Sequence, residues 1–385
     1  MEIVGIICEY NPFHNGHMRQ LRLIREMLGG ETAIVCAMSG SFVQRGAPAV
    51  FSKILRARAA VECGVDLVLE LPVNCALSSA EGFAAGGVKI LGQLCDKLCF
   101  GSETGNTAQI MSTAEQLLSP GFSAHLRRQL DTGLSFPAAR QKALEQMGVD
   151  SSLLARPNDI LAVEYCKAIL FQNLSMAPLP IRRDGGYHDP APDKAQPSAT
   201  SLRSLIGHGL DISTYVPAPA AEIFRGAAVH TLSAGEKAIL YRLRTMTDAE
   251  FEALPYGSEG LWRKLMHESR RQATLEDILA AVKSKRYTRT RLDRMVMCAF
   301  LGIDQDALHS FPDYTRVLGF SGRGRQILAQ HRGSGAFVHT GEAVEHPHWA
   351  LEQRCEDLYA LFSLGCPQAP GHARQDRVFY LQKNK

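Results

Sequence analysis

The first hundred residues repeat one pattern of apolar and polar positions. Residues 2–10, "EIVGIICEY", form an apolar, β-branched run that predicts a strand. Met18, Leu21, Ile24 and Leu28 then recur at helical spacing over 15–28. "TAIVCAM" (32–38) predicts a second strand, Ser52 is placed to cap a helix over 53–63, and "VDLVLEL" (65–71) predicts a third strand. A helix over 79–92 and a strand at "KLCFG" (97–101) complete the series. Short apolar strands alternating with helices predict a Rossmann-like α/β fold, a parallel sheet covered on both faces. From 107 to 172 the pattern is helical, with Pro157 opening a helix at 158–171, and "PLPIRR" (178–183) offers a fifth strand. A Pro/Gly-rich loop spans 184–200, and a short helix ends near 209. After "VPAPAA" (216–221) the pattern is mostly helical. We therefore expect an α/β domain over 1–212 and a mostly α-helical domain over 213–385.

Composition narrows the class. Hydrophobic residues make up 45% and charged residues 21%, the balance of a globular protein. No stretch approaches the ~20 apolar residues of a membrane span, and no basic segment precedes the first apolar run, so neither a membrane nor a secretory signal is expected. The ten cysteines show no CxxC pair and no Cys/His cluster, which argues against a metal site. Scattered through apolar runs, they predict buried free thiols and a cytoplasmic protein. The net charge of +3 does not announce a nucleic-acid partner, but "KSKRYTRTRLDR" (283–294) carries six Lys/Arg against one Asp. Such a run is either a solvated helix face or an electrostatic footprint.

The chemistry concentrates in "EYNPFHNGHMRQL" (9–21). His14-Asn15-Gly16-His17 falls between the first strand and the first helix, at the sheet edge where such folds bind ligands. Backbone N–H groups at a helix start lack partners and the dipole there favours anions. Gly16 has no Cβ to hold a phosphate away, and histidines three apart can both face one anion. Their N–H groups would stabilise charge growing on a phosphate during displacement. The Lys-Ser/Thr ending of a Walker loop is absent.

The H-x-G-H motif is shared by nucleotidyltransferases and class I synthetase-like enzymes. "VGIICEYNPFHNGH", "SGSFVQRGAPAVFSK", "FGSE", "RPNDIL", "YHD" and "SATSLRSLI" occur in the order that marks one bacterial family, and "KSKRYTRTRLDR" and "RVLGFSGRGR" continue it. The chain resembles the tRNA(Met) cytidine acetate ligases from residue 1 to about 208 and again in these C-terminal stretches. The resemblance implies that ATP and acetate form acetyl-adenylate, whose acetyl group passes to N4 of the wobble cytidine of elongator tRNA(Met).

The resemblance also implies roles for individual residues. His14 and His17 would be catalytic, and Ile7, Cys8, Glu9, Tyr10, Asn11, Pro12, Phe13, Asn15, Gly16 and Met18 would complete the ATP-binding stretch with them. Gly101, Asn158 and Arg183 match positions that face ATP. "SATSLR" resembles a Ser-x-Thr-x-x-Arg stretch that meets a triphosphate, which brings in Ser198, Thr200 and Arg203. Read alone, Ser198 and Asn158 are helix caps, Arg203 is a solvated arginine and Cys8 is strand packing. Mg²⁺ is implied as the companion of ATP phosphates, with no ligand set of its own visible. Gln44, Arg45 and Lys53 are either a solvated loop or contacts for acetate or tRNA phosphates. Lys283, Lys285, Arg286, Arg289, Arg291 and Arg294, around Tyr287, are expected to meet the tRNA, with Arg263, Lys264, Arg270 and Arg271 extending the surface. Tyr187-His188-Asp189 could orient a substrate but is not read as a catalytic dyad. The alternatives are a small-molecule adenylyltransferase, an acetate ligase acting on a protein thiol, and an RNA-binding module without catalysis. No protein partner is implied.

Overall fold

A computed structural model describes residues 1–182, 197–332, 336–339, 346–371 and 376–382. In chain order the strands are β1 (Ile3–Cys8), β2 (Ala33–Ser39), β3 (Phe42–Val43), β4 (Ala47–Pro48), β5 (Leu67–Leu71), β6 (Lys97–Ser102), β7 (Ala177–Arg182), β8 (Thr315–Phe320), β9 (Phe337–His339) and β10 (Phe379–Tyr380). Five of them form a parallel sheet in the order β5-β2-β1-β6-β7. The chain winds outward from β1 in one direction through β2 and β5, then in the other through β6 and β7. The reversal leaves a crevice at the carboxyl ends of β1 and β6, where an open α/β sheet takes its ligand.

Alternation along the strands sends side chains to two cores. Ala33, Val35 and Ala37 of β2 pack toward the helices Ala80–Leu91 and Pro157–Phe171. Ile34, Cys36 and Met38 pack toward Asn15–Leu28, Lys53–Glu62 and Ala199–Gly207. Strands buried on both faces read as continuous apolar runs, which is why the periodicity found them. A third core lies among the helices after residue 235. It centres on Arg289–Leu301 and reaches Phe42, Val73 and Leu77 of the sheet domain.

The stretch after residue 212 is helical until about residue 309 and then supplies three more strands. β8 pairs antiparallel with β5, and β9 and β10 pair parallel with β8. The sheet therefore draws strands from both sides of the boundary expected near 212. "TRVLGF" (315–320) is a six-residue run, and short apolar runs do not separate strand from helix by pattern alone. Among the described residues no helix is long and apolar enough to cross a membrane. All ten cysteines are free thiols, nine of them buried or half-buried.

Candidate active site

β1 ends at Cys8, and the chain turns sharply before the first helix. Tyr10 takes φ 43°, a left-handed conformation unusual for a bulky residue, and the Asn11–Pro12 bond is cis. The turn is locked from beneath by Arg56, which is fully buried. Its guanidinium donates to the carbonyls of Glu9 (2.5 Å), Ser39 (3.1 Å), Phe51 (3.0 Å) and Gly40, tying together the ends of β1 and β2. Nothing in the apolar pattern of 53–63 signals a buried arginine, so sequence reading missed it.

His14 is the N-cap of the helix Asn15–Leu28. Its Nδ1 accepts from the Gly16 N–H (3.1 Å), and the His14 N–H donates to Nδ1 of His17 (3.2 Å). This reciprocal pair is a capping box made by two imidazoles. It also sets the tautomer: with both Nδ1 atoms accepting, each neutral ring carries its proton on Nε2. Tyr10 and Phe13 pack around His17 with ring centroids 4.8 and 5.5 Å away. A Cβ on Gly16 would stand 3.0 Å from Cε1 of His14, so glycine here makes room for the ring.

These residues open onto a cavity of about 310 Å³ at the crevice between β1 and β6. Its wall includes Ile7, Cys8, Glu9, Tyr10, Asn11, His14, Gly16, His17, Gln44, Arg45, Gly101, Asn158, Ser198, Thr200 and Arg203, all named from the sequence. Arg19, Gln20, Phe83, Tyr165 and Arg182 also line it and were not foreseen. Arg19 and Gln20 follow the motif by less than one helical turn, a spacing that could have flagged them. Four expected residues point elsewhere. Pro12 and Phe13 are buried under the turn, Met18 is exposed, and Asn15 is turned toward the 214–215 backbone, its N–H donating to the Tyr215 carbonyl (3.0 Å). Arg183 and the 187–189 triplet lie outside the described residues.

Two quoted motifs interlock at the far wall. Glu103 of "FGSE" accepts from Asn158 Nδ2 (2.7 Å) and from the N–H groups of Asn158 (3.2 Å) and Asp159 (2.8 Å). Asp159 of "RPNDIL" in return accepts from Ser102 Oγ and from the N–H groups of Glu103 (3.0 Å) and Thr104 (3.2 Å). Asn158 is thus not the N-cap: Arg156 holds that position, and Glu103 supplies the acceptor from another segment. Ser198 does cap its helix, accepting from Ser201 N–H (3.1 Å). Arg203 reaches the Asn11 carbonyl (2.9 Å) and Thr200 Oγ1 (3.1 Å), which joins the second phosphate-type stretch to the first turn.

The electrostatics suit an anion. Arg19, Arg45, Arg182 and Arg203 face the cavity with two histidines, and Glu9 is the one carboxylate on the wall among the described residues. Burial pushes the Cys8 thiol well above its usual range, which disfavours the thiolate. No group of three or more His, Cys, Asp or Glu that could hold a metal occurs among the described residues. A magnesium ion fits this wall only on nucleotide phosphates and water, as that ion commonly binds.

Comparison with known proteins bears on the family and the fold. The HIGH nucleotidyl transferase family matches residues 1–370. A tRNA(Met) cytidine acetate ligase from Acetivibrio thermocellus is 33% identical over 417 aligned positions, covering 98% of both chains. One from Syntrophotalea carbinolica is 37% identical over 86% of this chain and 83% of its own. The chain belongs to the tRNA(Met) cytidine acetate ligase family. Two crystal structures of Thermotoga maritima TmcAL, one apo and one bound with alpha-thio ATP, superpose with TM-scores of 0.91 and 0.89 at 28% identity. Each covers 99% of this chain and 100% of the other.

Other residues quoted for the family likeness lie away from the cavity. Lys53 is a correction: it is 2% exposed and ion-paired with Glu70 (2.7 Å) and Glu356 (3.0 Å), so it reaches neither substrate nor solvent. In the basic run, Lys283 and Lys285 are exposed. Arg286 and Tyr287 share Glu259, Arg289 forms a bidentate pair with Glu276 (2.7 Å each) and a bond to Asp293, and Arg291 holds the Tyr256 carbonyl. Arg294 Nη1 reaches the Gln44 carbonyl (3.4 Å), so the run touches the loop that walls the cavity. Beside it, Lys264 donates to the Val282 carbonyl and Arg270 pairs with Asp248, while Arg263 stacks on Trp262.

Proposed function

We propose that this protein activates acetate with ATP and transfers the acetyl group to N4 of the wobble cytidine of elongator tRNA(Met). The observation that carries it is the cavity at the strand reversal, whose wall joins the two imidazoles that cap a helix start to four arginines. The same fold in a relative holds alpha-thio ATP.

His14 and His17 hold the phosphates through their Nε2–H donors and stabilise the growing charge as the acetate oxygen attacks the α-phosphorus and pyrophosphate departs. No covalent nucleophile on the protein is needed, since the mixed anhydride is itself the activated species. Arg203, with Ser198 and Thr200, sits where the β- and γ-phosphates would extend along the wall, and Gly101 and Asn158 line the side left to adenosine. Mg²⁺ would travel on the nucleotide and supply charge neutralisation. In this reading residues 1–212, with the strands that return to their sheet, form the nucleotide-binding part, and the helical body from 213 presents Lys283, Lys285 and neighbouring arginines to RNA phosphates. The free thiols accord with the reducing cytoplasm, where such RNA resides.

Incubation with ATP, acetate and unmodified tRNA(Met), followed by mass spectrometry of the nucleosides, tests this directly. N4-acetylcytidine is the expected product. Acetate-dependent pyrophosphate–ATP exchange without RNA acetylation would favour a small-molecule or protein-thiol acceptor, and absence of exchange would leave an RNA-binding module.

A further inference from the structure

We propose that Glu9 receives the acceptor amine: its carboxylate takes a hydrogen bond from N4 of the cytidine and then the proton which that nitrogen sheds. The proposal rests on the acyl-transfer reading above and assigns its second step a proton acceptor. The starting point is a mismatch of charge. Triphosphate and acetate are anions, and the wall offers them cations and N–H donors, yet among the described residues one carboxylate stands with them. A carboxylate there repels the anions of the first step. It matches the incoming base, since the exocyclic amine of cytosine is a donor whose natural side-chain partner is Glu or Asp.

The geometry fixes this carboxylate with one oxygen to offer. The Glu9 carbonyl is clamped by Arg56 (2.5 Å), and its Oε1 accepts from the Gln44 N–H (3.0 Å). Oε2 has no hydrogen-bond partner among the described residues. The turn that holds Oε1 is itself anchored to the basic helix Arg289–Leu301. Arg294 bonds the Gln44 carbonyl, and Gly46, at φ +74°, lies so close that a Cβ there would stand 2.4 Å from the Arg294 nitrogen. Glu9 therefore sits on the side of the cavity that adjoins the arginine-bearing helix, the side from which RNA would enter.

The chemistry needs a proton acceptor. The N4 lone pair is delocalised into the pyrimidine ring, so the amine is a poor nucleophile. As the N–C bond forms at the acetyl carbonyl, the C–O bond to the AMP phosphate breaks and AMP leaves with that electron pair. One N4 proton passes to Glu9 Oε2 and on to solvent. Positioned general bases contribute roughly 10²- to 10⁴-fold.

The test compares both half-reactions in the Glu9→Gln protein, whose amide oxygen can still accept from Gln44. Acetate-dependent pyrophosphate exchange and single-turnover acetylation of unmodified tRNA(Met) transcript are measured on one preparation. The ratio of transfer to exchange is expected to fall about 100-fold or more. Glu9→Asp, which keeps the carboxylate but withdraws it, is expected to lower the ratio only about tenfold. An unchanged ratio in both variants would overturn the assignment, as would equal loss of both steps, which would place Glu9 with the nucleotide or its metal. Unmutated protein that exchanges pyrophosphate but never acetylates the RNA would instead overturn the tRNA reading itself.

Discussion

The imidazoles of His14 and His17 stack with ring centroids 3.6 Å apart and 21° between their planes. They cap one another's segment through Nδ1, which leaves Nε2–H for the phosphate role proposed above, so in that reading one ring pair serves helix stability and chemistry together. Substitution can separate the two. Asn at 14 is a good N-cap and Gln at 17 keeps the reach back to the cap, but neither restores a paired Nε2–H. We expect His14→Asn and His17→Gln to melt within a few degrees of the parent while adenylate formation falls roughly 100- to 1,000-fold. His14→Ala should lose about 1 kcal/mol of stability as well. Pyrophosphate exchange and thermal melting check both, and near-normal exchange in either capping variant would remove the histidines from the chemistry.

The parts of the site that one stretch of chain builds were legible. The motif at 9–21 fell after a strand and before a helix, and its histidines could be placed from local spacing. What escaped depended on contacts across the chain. Asn158 follows a proline as an N-cap might, but Glu103, 55 residues away, is the acceptor there. Arg56 looks like any helix arginine until the ends of β1 and β2 bring three carbonyls to it. "TRVLGF" joins the sheet because β5 leaves an open edge, which no local pattern reports.

Lys53 shows the same limit and carries its own prediction. Burial alone would lower its pKa, but the Glu356 and Glu70 carboxylates outweigh that and hold it above the ordinary lysine value. Arg316 joins the cluster through Glu70 (3.5 Å). Removing one partner of a buried ion pair strands the others' charge, at a cost of about 3–5 kcal/mol. Lys53→Met should therefore shift the urea midpoint strongly. A substrate-contacting surface lysine would leave that midpoint nearly unchanged.

Glu352 lies in the same cluster, accepting from the Val73 N–H (2.7 Å). Burial first, and then the Glu70 charge, raise its pKa from 4.5 to about 7. The folded form thus binds a proton between about pH 4.5 and 7 that the unfolded chain has released, and stability falls as pH rises through that window. Glu352→Gln keeps the acceptor for Val73 and removes the titration. It should be close to neutral near pH 5 and stabilising above pH 7, by an amount of order 3 kcal/mol. Melting curves for both proteins across this range decide it; parallel curves would show that Glu352 is ionised throughout.

The basic run divides by what its charges already hold. Lys283 and Lys285 are exposed, whereas Arg289 is committed to Glu276 and Asp293 and Arg291 to the Tyr256 carbonyl. Phosphate contacts reveal themselves through counterion release, each adding nearly one unit to the slope of log affinity against log salt. Lys283→Ala with Lys285→Ala should weaken tRNA binding and flatten that slope by about 2 between roughly 50 and 200 mM salt, with acetate-dependent exchange as in the parent. Lys285→Ala with Arg286→Ala should act likewise while releasing Glu259 from its 2.6 Å pair. Arg289→Ala differs, because it leaves Glu276 and Asp293 without their partner and should lower the melting temperature too. Filter binding across a salt series reads the slopes. If the lysine pair leaves both slope and affinity untouched, the RNA does not lie on this face, and the arginines of the run are then structural clamps on the helix that holds the Gln44 turn.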